Sequence, residues 1–247
     1  MLSKGDSERQ ACLRDQRIKT RKTREDPYIS KVLAALKQQM KLLDIGCGTA
    51  HIIQKLAELT GSSVLVGLDV SPAMLRSARA NSASLRVVRL IEGDGYCLPF
   101  PDCCFDIVVT RLANYSPQEA YRVLKEDGYF FEYGLGPDAD REIKEFFPRR
   151  IEKENFFFPK DRTEWKQEVC ESIIEAGFEV SSIEDYKEDE HYPSKEDLLD
   201  LIEMVPLVRD FDRMKDEKKI NELVQKYGSS CGVKLTWHYY ILAARRL

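Results

Sequence analysis

The sequence predicts a doubly wound α/β fold, and three observations support that prediction. Between Lys41 and Tyr133, short β-branched or apolar runs alternate with amphipathic stretches, as is typical of βαβ units and a mainly parallel sheet. A chain of 247 residues with 43% hydrophobic content can bury a full core as one domain with insertions. No apolar run reaches the length of about 18 residues that a membrane-spanning helix needs.

Eight elements are predicted in this first region. The strands are 41–45, 64–69, 85–92, 105–110 and 129–133, and the helices are 51–59, 72–81 and 117–125. Ser71 is a predicted N-cap, with Pro72 at the first helical position, where a missing N–H does no harm. Gly61 and Gly128 are predicted to end helices, because helix C-termini favour a residue that tolerates positive φ.

The regular alternation stops after Tyr133. Residues 134–163 combine Gly, Pro, charge and five Phe, and we expect a helix and a loop that cap a cleft. The elements predicted beyond them are a helix over 165–176 ended by Gly177, a strand over 178–185, helices over 194–204 (with Ser194 as cap) and 217–227, and a strand over 232–244.

The predicted organisation is an N-terminal helical arm or cap over residues 1–40, followed by one domain over 41–247. Residues 134–163 and 190–230 are predicted substrate-side insertions of that domain. The first 25 residues hold eight basic and four acidic side chains. Three interpretations of this arm stay open: a solvated helix, an RNA-contacting arm, or a lid over a pocket.

Composition narrows the classes of function. A net charge of −4 argues against broad nucleic-acid binding led by phosphate contacts, although a local basic patch escapes that average. Seven cysteines with no CxxC pair, and with Cys103 adjacent to Cys104, predict reduced thiols and no metal site. The polar N-terminus does not look like a secretory signal, so we expect a cytoplasmic protein.

The most informative segment is LLDIGCGTA, residues 42–50. An apolar strand runs directly into Gly46-Cys47-Gly48 and then into a helix. Glycines permit a tight turn and let the backbone approach a ligand, while the helix start offers free N–H groups. Tight turns also use glycine for conformational reasons alone, so this motif needs support from elsewhere in the chain.

Two carboxylates supply that support. Asp69 ends the second strand, 21 residues after Gly48, where it can accept hydrogen bonds from both ribose hydroxyls of an adenosine. Asp94 follows the third strand, where it can accept a hydrogen bond from the adenine amine. The alternatives are structural: a helix-proximal cap for Asp69, and a plain turn before Gly95 for Asp94.

Taken in order, these motifs resemble the class I S-adenosylmethionine-dependent methyltransferases, and most of all the small-molecule type related to quinone-biosynthesis enzymes. They are Asp44-x-Gly46-x-Gly48, Asp69, Gly93-Asp94, FDIVV at 105–109 and RVLK at 122–125. The resemblance covers residues 40–133. It implies a seven-stranded sheet of Rossmann-like methyltransferase type with an antiparallel last strand. The sequence departs from the family in a short stretch before the fifth strand, where Glu126-Asp127 replaces the common Pro-Gly.

The resemblance also implies S-adenosylmethionine as cofactor, S-adenosylhomocysteine as product, and a set of cofactor-binding residues. These are Asp44, Gly46, Cys47, Gly48, Arg111 and Leu112 for the methionine part, Asp69 for the ribose, and Val70, Met74, Asp94 and Gly95 for the adenine. Asp44 would hold the ammonium group, directly or through water. Cys47 would fill space and would not act as a nucleophile.

The methyl acceptor is not identified by the sequence, although a small molecule is expected. Transfer from a sulfonium mainly requires alignment and exclusion of water, and a base is needed only where the acceptor must lose a proton. No catalytic residue is therefore assigned. Candidate substrate residues are Asn114, Tyr115 and His191, with Tyr192 beside it. The Phe clusters at 146–147 and 156–158 are more typical of a core, and His51 and His238 are more typical of structural positions.

Three other functions stay open. One is an RNA or protein methyltransferase that uses the basic arm. Another is a nicotinamide or flavin oxidoreductase, although His51 replaces the third fingerprint glycine and Asp44 would repel a pyrophosphate. The third is a non-catalytic cofactor-binding subunit that supports a partner enzyme.

Overall fold

The computed structural model describes residues 8–20, 26–60, 63–151, 164–205 and 207–247. The predicted Gly61 C-cap and the Phe cluster at 156–158 lie outside these residues.

One twisted sheet organises the described residues. Its strands are β1 (Lys41–Ile45), β2 (Val64–Asp69), β3 (Val88–Glu92), β4 (Phe105–Arg111), β5 (Leu124–Leu135), β6 (Glu179–Tyr192), β7 (Gly228–Ser229) and β8 (Gly232–Arg245). They lie in the order β3-β2-β1-β4-β5-β8-β6, and β7 pairs with β8. Neighbours among β1 to β5 are parallel, whereas β8 runs antiparallel to both β5 and β6. The predicted sheet is confirmed, and the two-residue β7 adds an eighth strand to the expected seven.

Helices cover both faces of the sheet. They are α1 (Glu8–Thr20), α2 (Pro27–Ala35), α3 (His51–Thr60), α4 (Pro72–Asn81), α5 (Pro117–Val123), α6 (Arg141–Phe146), α7 (Trp165–Glu175), α8 (Lys195–Met204) and α9 (Glu217–Tyr227). Both predicted serine caps are confirmed: Ser71 Oγ accepts from the Met74 N–H, and Ser194 forms a reciprocal capping box with Asp197.

Three apolar clusters form the core. One face of the sheet packs against α2, α3 and α4 around the buried Tyr28 and Leu75. The other face packs against α5 and α7 around Phe130 and Ile173. Beyond the sheet, α6, α8, α9 and the start of β8 enclose a third cluster that includes Phe147. Because each sheet face is covered by helices, the carboxyl edge of the parallel strands is the place left for a ligand.

The link between β4 and β5 differs from the prediction. The helix α5 ends at Val123 instead of residue 125, because Leu124 already pairs with Phe105 of β4. Gly128 therefore lies within β5, and the prediction that it ends a helix is wrong. The positive φ falls on Asp127 instead, at +62°. The short α5 agrees with the abbreviated stretch that the sequence shows before the fifth strand.

The C-terminal strands also differ in extent. The strand predicted over 178–185 continues to Tyr192, because β8 is long enough to pair with β6 as far as Val233. The first residues of the predicted 190–230 insertion therefore belong to the sheet. Strand β3 is shorter than predicted and begins at Val88. Gly177 has φ +106° directly after α7, as its predicted role requires.

The structure also bears on membrane spans, cysteines and metal ligands. In the ranges given above, no helix is both long and apolar enough to cross a membrane. All seven cysteines are free thiols. The same ranges contain no group of three or more His, Cys, Asp or Glu side chains arranged to hold a metal ion.

Candidate functional site

The glycine turn lies at the carboxyl edge of the sheet, between β1 and α3. Gly46 and Gly48 both have positive φ, at +76° and +54°. The N–H groups of Gly46 and Cys47 both donate to the Leu68 carbonyl, at 2.7 and 2.9 Å, which fastens the turn to the end of β2. A Cβ on Gly46 would lie 2.1 Å from the Ala113 Cβ. The turn is therefore packed directly against the segment that follows β4.

Asp69 at the end of β2 holds two loops together. Its Oδ2 accepts from the Gly48 N–H at 2.7 Å, and its Oδ1 accepts from the Ser71 N–H at 2.8 Å. Asp69 therefore does have the structural role that was the alternative to ribose binding, because it holds the loop before α4. A carboxylate oxygen can accept more than one hydrogen bond, so these two bonds do not by themselves exclude ribose hydroxyls as further donors.

Asp44, near the end of β1, is a buried acid. Its side chain is 2% exposed, and no described residue forms a salt bridge with it. Burial raises the pKa of Asp44 to about 7, and the neighbouring Asp69 carboxylate adds to the rise, while the Arg111 guanidinium opposes it. A buried carboxylate in this state is stabilised by any cation that comes within reach.

Three further residues predicted at the cofactor are Cys47, Val70 and Met74. Burial raises the pKa of the Cys47 thiol well above its ordinary value, which fits a space-filling group more than a nucleophile. Met74 in α4 is fully buried, and the Arg14 guanidinium of α1 lies 3.5 Å from its sulfur. Val70 is half-buried between Asp69 and Ser71.

Asp94 and Gly95 follow β3 and have different surroundings. Asp94 is exposed, and its Oδ1 accepts from the Tyr96 N–H at 2.9 Å in a local turn. Gly95 is buried, and its carbonyl accepts from the Ser116 N–H at 3.1 Å. A Cβ on Gly95 would come within 2.6 Å of the Asn114 carbonyl. Both Gly46 and Gly95 thus contact the segment 112–116.

At the end of β4, Arg111 and Leu112 connect the site to α2. The Arg111 guanidinium donates to Asp26 Oδ2 at 2.8 Å and lies 4.4 Å from the centre of the Tyr133 ring. Asp26 also caps α2 by accepting from the Tyr28 N–H. Leu112 has φ +54° and is 43% exposed. Asp26 was not among the predicted site residues, although Asp26-Pro27 carries the ordinary signal of a helix start.

The candidate substrate residues separate into two places. Tyr115 donates to Glu132 Oε2 at 2.7 Å, and Tyr240 of β8 donates to the other oxygen, Oε1, also at 2.7 Å. Burial raises the pKa of the Glu132 carboxyl, and both hydroxyl donors oppose that rise. Asn114 is half-buried beside Tyr115. His191 instead lies exposed on β6, paired with Lys234.

The other singled-out aromatic and histidine side chains have structural surroundings. Phe147 is buried in the third apolar cluster, and Phe146 packs against it. His238 is buried in β8, its Nδ1 accepts from the Asp138 N–H at 3.2 Å, and desolvation lowers its pKa. Desolvation also lowers the pKa of His51, which starts α3.

The helix α1 lies across the carboxyl edge and is docked, unlike a solvated arm. On one flank Glu8 pairs with Arg76 of α4, and Asp15 accepts from the Asn81 amide at 3.1 Å. On the other flank Arg9 pairs with Glu203 of α8 at 2.8 Å. Ala11 between them is fully buried. The helix therefore packs between α4 and α8, and through Arg14 it contacts Met74, one of the residues predicted to flank the adenine.

The fold and this site define a Rossmann-like α/β protein of methyltransferase type. Residues 42–128 match the family described as methyltransferase domain. The predicted resemblance to class I methyltransferases is confirmed. The family match ends before the region that contains α6 to α9.

Relatives of known name match the same region. A demethylmenaquinone methyltransferase of Staphylococcus epidermidis is 40% identical over 96 residues, which are 36% of this chain and 40% of the relative. A malonyl-[acyl-carrier protein] O-methyltransferase of Geobacter sulfurreducens is 26% identical over 180 residues, covering 67% of this chain and 65% of the relative. The chain spans about two fifths of the length of the first curated relatives that it matches.

Solved structures show the same fold over most of the chain. A Bacillus halodurans protein superposes with a TM-score of 0.63 at 21% identity, covering 90% of this chain and 99% of that one. The [4+2]-cyclase SpnF superposes with a TM-score of 0.57 at 20% identity, covering 88% of this chain and 80% of that one. One architecture thus serves more than one chemistry, and function has to be argued from the site.

Proposed function

We propose that the protein binds S-adenosylmethionine at the carboxyl edge of β1, β2 and β4 and transfers its methyl group to a small-molecule acceptor. The observation that carries the proposal is Asp44, a buried carboxylate without a salt bridge to any described residue. An ammonium group bound beside it would supply the missing positive charge. The methionine part of the cofactor carries such a group.

The neighbouring residues fit the rest of the cofactor. Asp69 lies at the end of β2, where it fixes the glycine turn, and a carboxylate there can accept hydrogen bonds from ribose hydroxyls. Gly46 and Gly48 have the positive φ that keeps this turn tight, and nothing lies within 4 Å of a Cβ placed on Gly48. The adenine is assigned to the space beside Val70, Met74, Asp94 and Gly95, under α1.

The chain's own residues would align the reactants and exclude water. When bound, the cofactor supplies an activated methyl group on a sulfonium, so the protein has to position the acceptor in line with it. The helix α1 covers one side of the cleft, and the segment 112–116 closes it against Gly46 and Gly95. We assign no residue to proton removal. In this proposal the described residues 8–20 and 26–40 serve as the cap of the domain.

A small molecule is favoured as acceptor because one relative that matches this domain is named for demethylmenaquinone, and another is named for a malonyl group that a carrier protein holds. These names differ from one another, so neither substrate transfers to this chain. Arg9, a basic residue of the arm, forms an ion pair within the protein, which weakens the case for an RNA-contacting arm. Its companion Arg17 is paired in the same way, with Glu190.

Calorimetric titration with S-adenosylmethionine tests this proposal, with Asp69→Asn and Asp106→Asn as a matched pair. Both carboxylates accept from a backbone N–H, but Asp106 does so from Lys41, at the opposite edge of the sheet. The wild type should bind with micromolar affinity. Asp69→Asn should weaken binding at least about tenfold, since a carboxylate hydrogen bond is worth about 1.5–3 kcal/mol. Asp106→Asn should bind like the wild type. A wild type that does not bind would refute the proposal.

A further inference from the structure

Asp140 is a carboxylate whose placement the fold does not explain. It follows β5, is 5% exposed, and has φ +50°, a conformation that costs a non-glycine residue about 1–2 kcal/mol. It occupies the N-cap position of α6, yet its side chain makes no capping hydrogen bond. Its Oδ1 is buried and has no hydrogen-bond partner among the residues that the structure describes. An aspartate at a helix start ordinarily accepts hydrogen bonds from the helix N–H groups. The Asp140 carboxylate makes no such bond with α6 and is therefore directed elsewhere.

The charged groups around Asp140 come from three elements. Glu142 and Lys144 lie on α6, Glu190 lies on β6, and Arg17 lies on α1. Glu142 is already engaged, because its two oxygens accept from the Thr236 N–H and hydroxyl at 2.8 and 2.7 Å. Burial raises the pKa of Asp140 to about 6, and the two cations oppose that rise. At neutral pH this carboxylate is therefore mostly ionised, and the charges of Arg17 on α1 and Glu190 on β6 both act on it.

Arg17 shows what kind of group this site holds. Its guanidinium lies 2.9 Å from Glu190 Oε1 and 4.8 Å from the centre of the Tyr192 ring, and it also donates to the Tyr192 hydroxyl. Tyr192 is itself buried, at 3% exposed. A carboxylate beside the face of an aromatic ring is the arrangement that proteins use to bind ammonium and guanidinium groups.

This site adjoins the proposed cofactor cleft. Arg14, three residues before Arg17, contacts Met74, one of the residues assigned to the adenine. Residues three apart on a helix lie on the same side, and they are separated by about 4.5 Å along its axis. A group in the place of the Arg17 guanidinium would thus belong to a molecule that reaches into the cleft from the side of β6.

We propose that Asp140, Glu190 and Tyr192 form a binding site for a positively charged group of the methyl acceptor, and that Arg17 occupies it in the free protein. That the bound molecule is a methyl acceptor rests on the proposed function, but binding of a cation at this site can be tested by itself. The substrate class is therefore an amine, a guanidine or a quaternary ammonium compound. The charged group serves as a handle and need not be the atom that receives the methyl group.

The test removes Arg17 and supplies its head group as a free molecule. Arg17→Ala and Arg17→Met are titrated with methylguanidinium by calorimetry at about pH 8, where Asp140 is ionised. Both variants should bind it with millimolar affinity, and the wild type should not. Adding Asp140→Asn to either variant should weaken binding at least about tenfold, since a buried charge then loses its counter-charge. Arg9→Ala, which opens an exposed ion pair on the same helix, should not bind methylguanidinium.

Two results would overturn the inference. One is absence of methylguanidinium binding by both Arg17 variants, with α1 still docked as judged by hydrogen exchange of residues 8–20. The other is saturable binding of acetate by the wild type that Arg17→Met abolishes, because Arg17 would then be an anion-binding residue. S-adenosylhomocysteine is titrated into the same proteins. If that compound fails to bind while methylguanidinium binds, the proposed function fails and the cation site stands.

Discussion

The region of residues 41–111 and the region of residues 134–245 are built on the same sheet, but their functional groups are assembled in different ways. In the first region each polar group lies within or directly after a parallel strand, so Asp44 and Asp69 meet because neighbouring strands end at one edge. In the second region Asp140, Glu190 and Tyr192 converge only because β6 and α6 both lie against the long β8. A short sequence motif can therefore describe the first site but not the second.

The largest expected effect is on the free energy of unfolding, when a side chain is added to the glycine turn of the first region. Gly46→Ala would place a Cβ 2.1 Å from the Ala113 Cβ at φ +76°, whereas Gly48→Ala would meet nothing within 4 Å at φ +54°. Overpacking plus backbone strain should lower the free energy of unfolding of Gly46→Ala by about 3–5 kcal/mol. Strain alone should lower that of Gly48→Ala by about 1–2 kcal/mol. Urea unfolding of both variants measures the difference, and equal losses would mean that the segment at Ala113 moves aside.

The next prediction concerns the buried acid of the first region. The folded pKa of Asp44, about 7, lies above its ordinary value of 3.8, so folding disfavours the ionised form. The stability of the free protein is therefore reduced progressively as pH rises from about 4 to about 7. Asp44→Asn removes that ionisation and should raise the free energy of unfolding by about 1–3 kcal/mol at pH 8. Near pH 4 the gain should vanish.

The same substitution should have the opposite effect on the cofactor. Without the carboxylate, binding of S-adenosylmethionine at pH 8 should weaken at least about tenfold, because the ammonium loses its charged partner. Thermal unfolding with and without the cofactor, measured from pH 5 to pH 8, records both effects. Asp94→Asn, at an exposed turn, should leave free-protein stability unchanged. An Asp44→Asn protein that is less stable at pH 8 would mean that Asp44 is not the unpaired acid described here.

The structure of the first region could be predicted from the sequence more fully than the structure of the second. The strands β1 and β2 and the helices α4 and α9 have the predicted limits, because strand–turn–helix signals there are local. The expected number of strands and the antiparallel last strand, β8, came from the family resemblance. No local pattern predicts the roles of Glu132 and Asp140, because each acquires its partners from residues far along the chain. The tip of β6 shows the same limit, since both His191 and Tyr192 are candidates from the sequence but only Tyr192 is buried and contacts α1.

The smallest of these effects concerns the polar group buried between β5 and β8. Tyr240→Phe removes the hydroxyl that donates to Glu132 Oε1 and leaves Tyr115 on the other oxygen. Losing one donor to a buried carboxyl should lower the free energy of unfolding by about 1–2 kcal/mol. The pKa of Glu132, already raised by burial, should rise further, so the loss should be greatest at high pH and shrink as the carboxyl becomes protonated. Urea unfolding at pH 5 and pH 8 measures this difference. Affinity for S-adenosylmethionine should stay within about twofold of the wild type, because the lost bond lies between β5 and β8 and not at the glycine turn. A large drop in that affinity would instead join Glu132 and Tyr115 to the cofactor site and erase the division between the two regions.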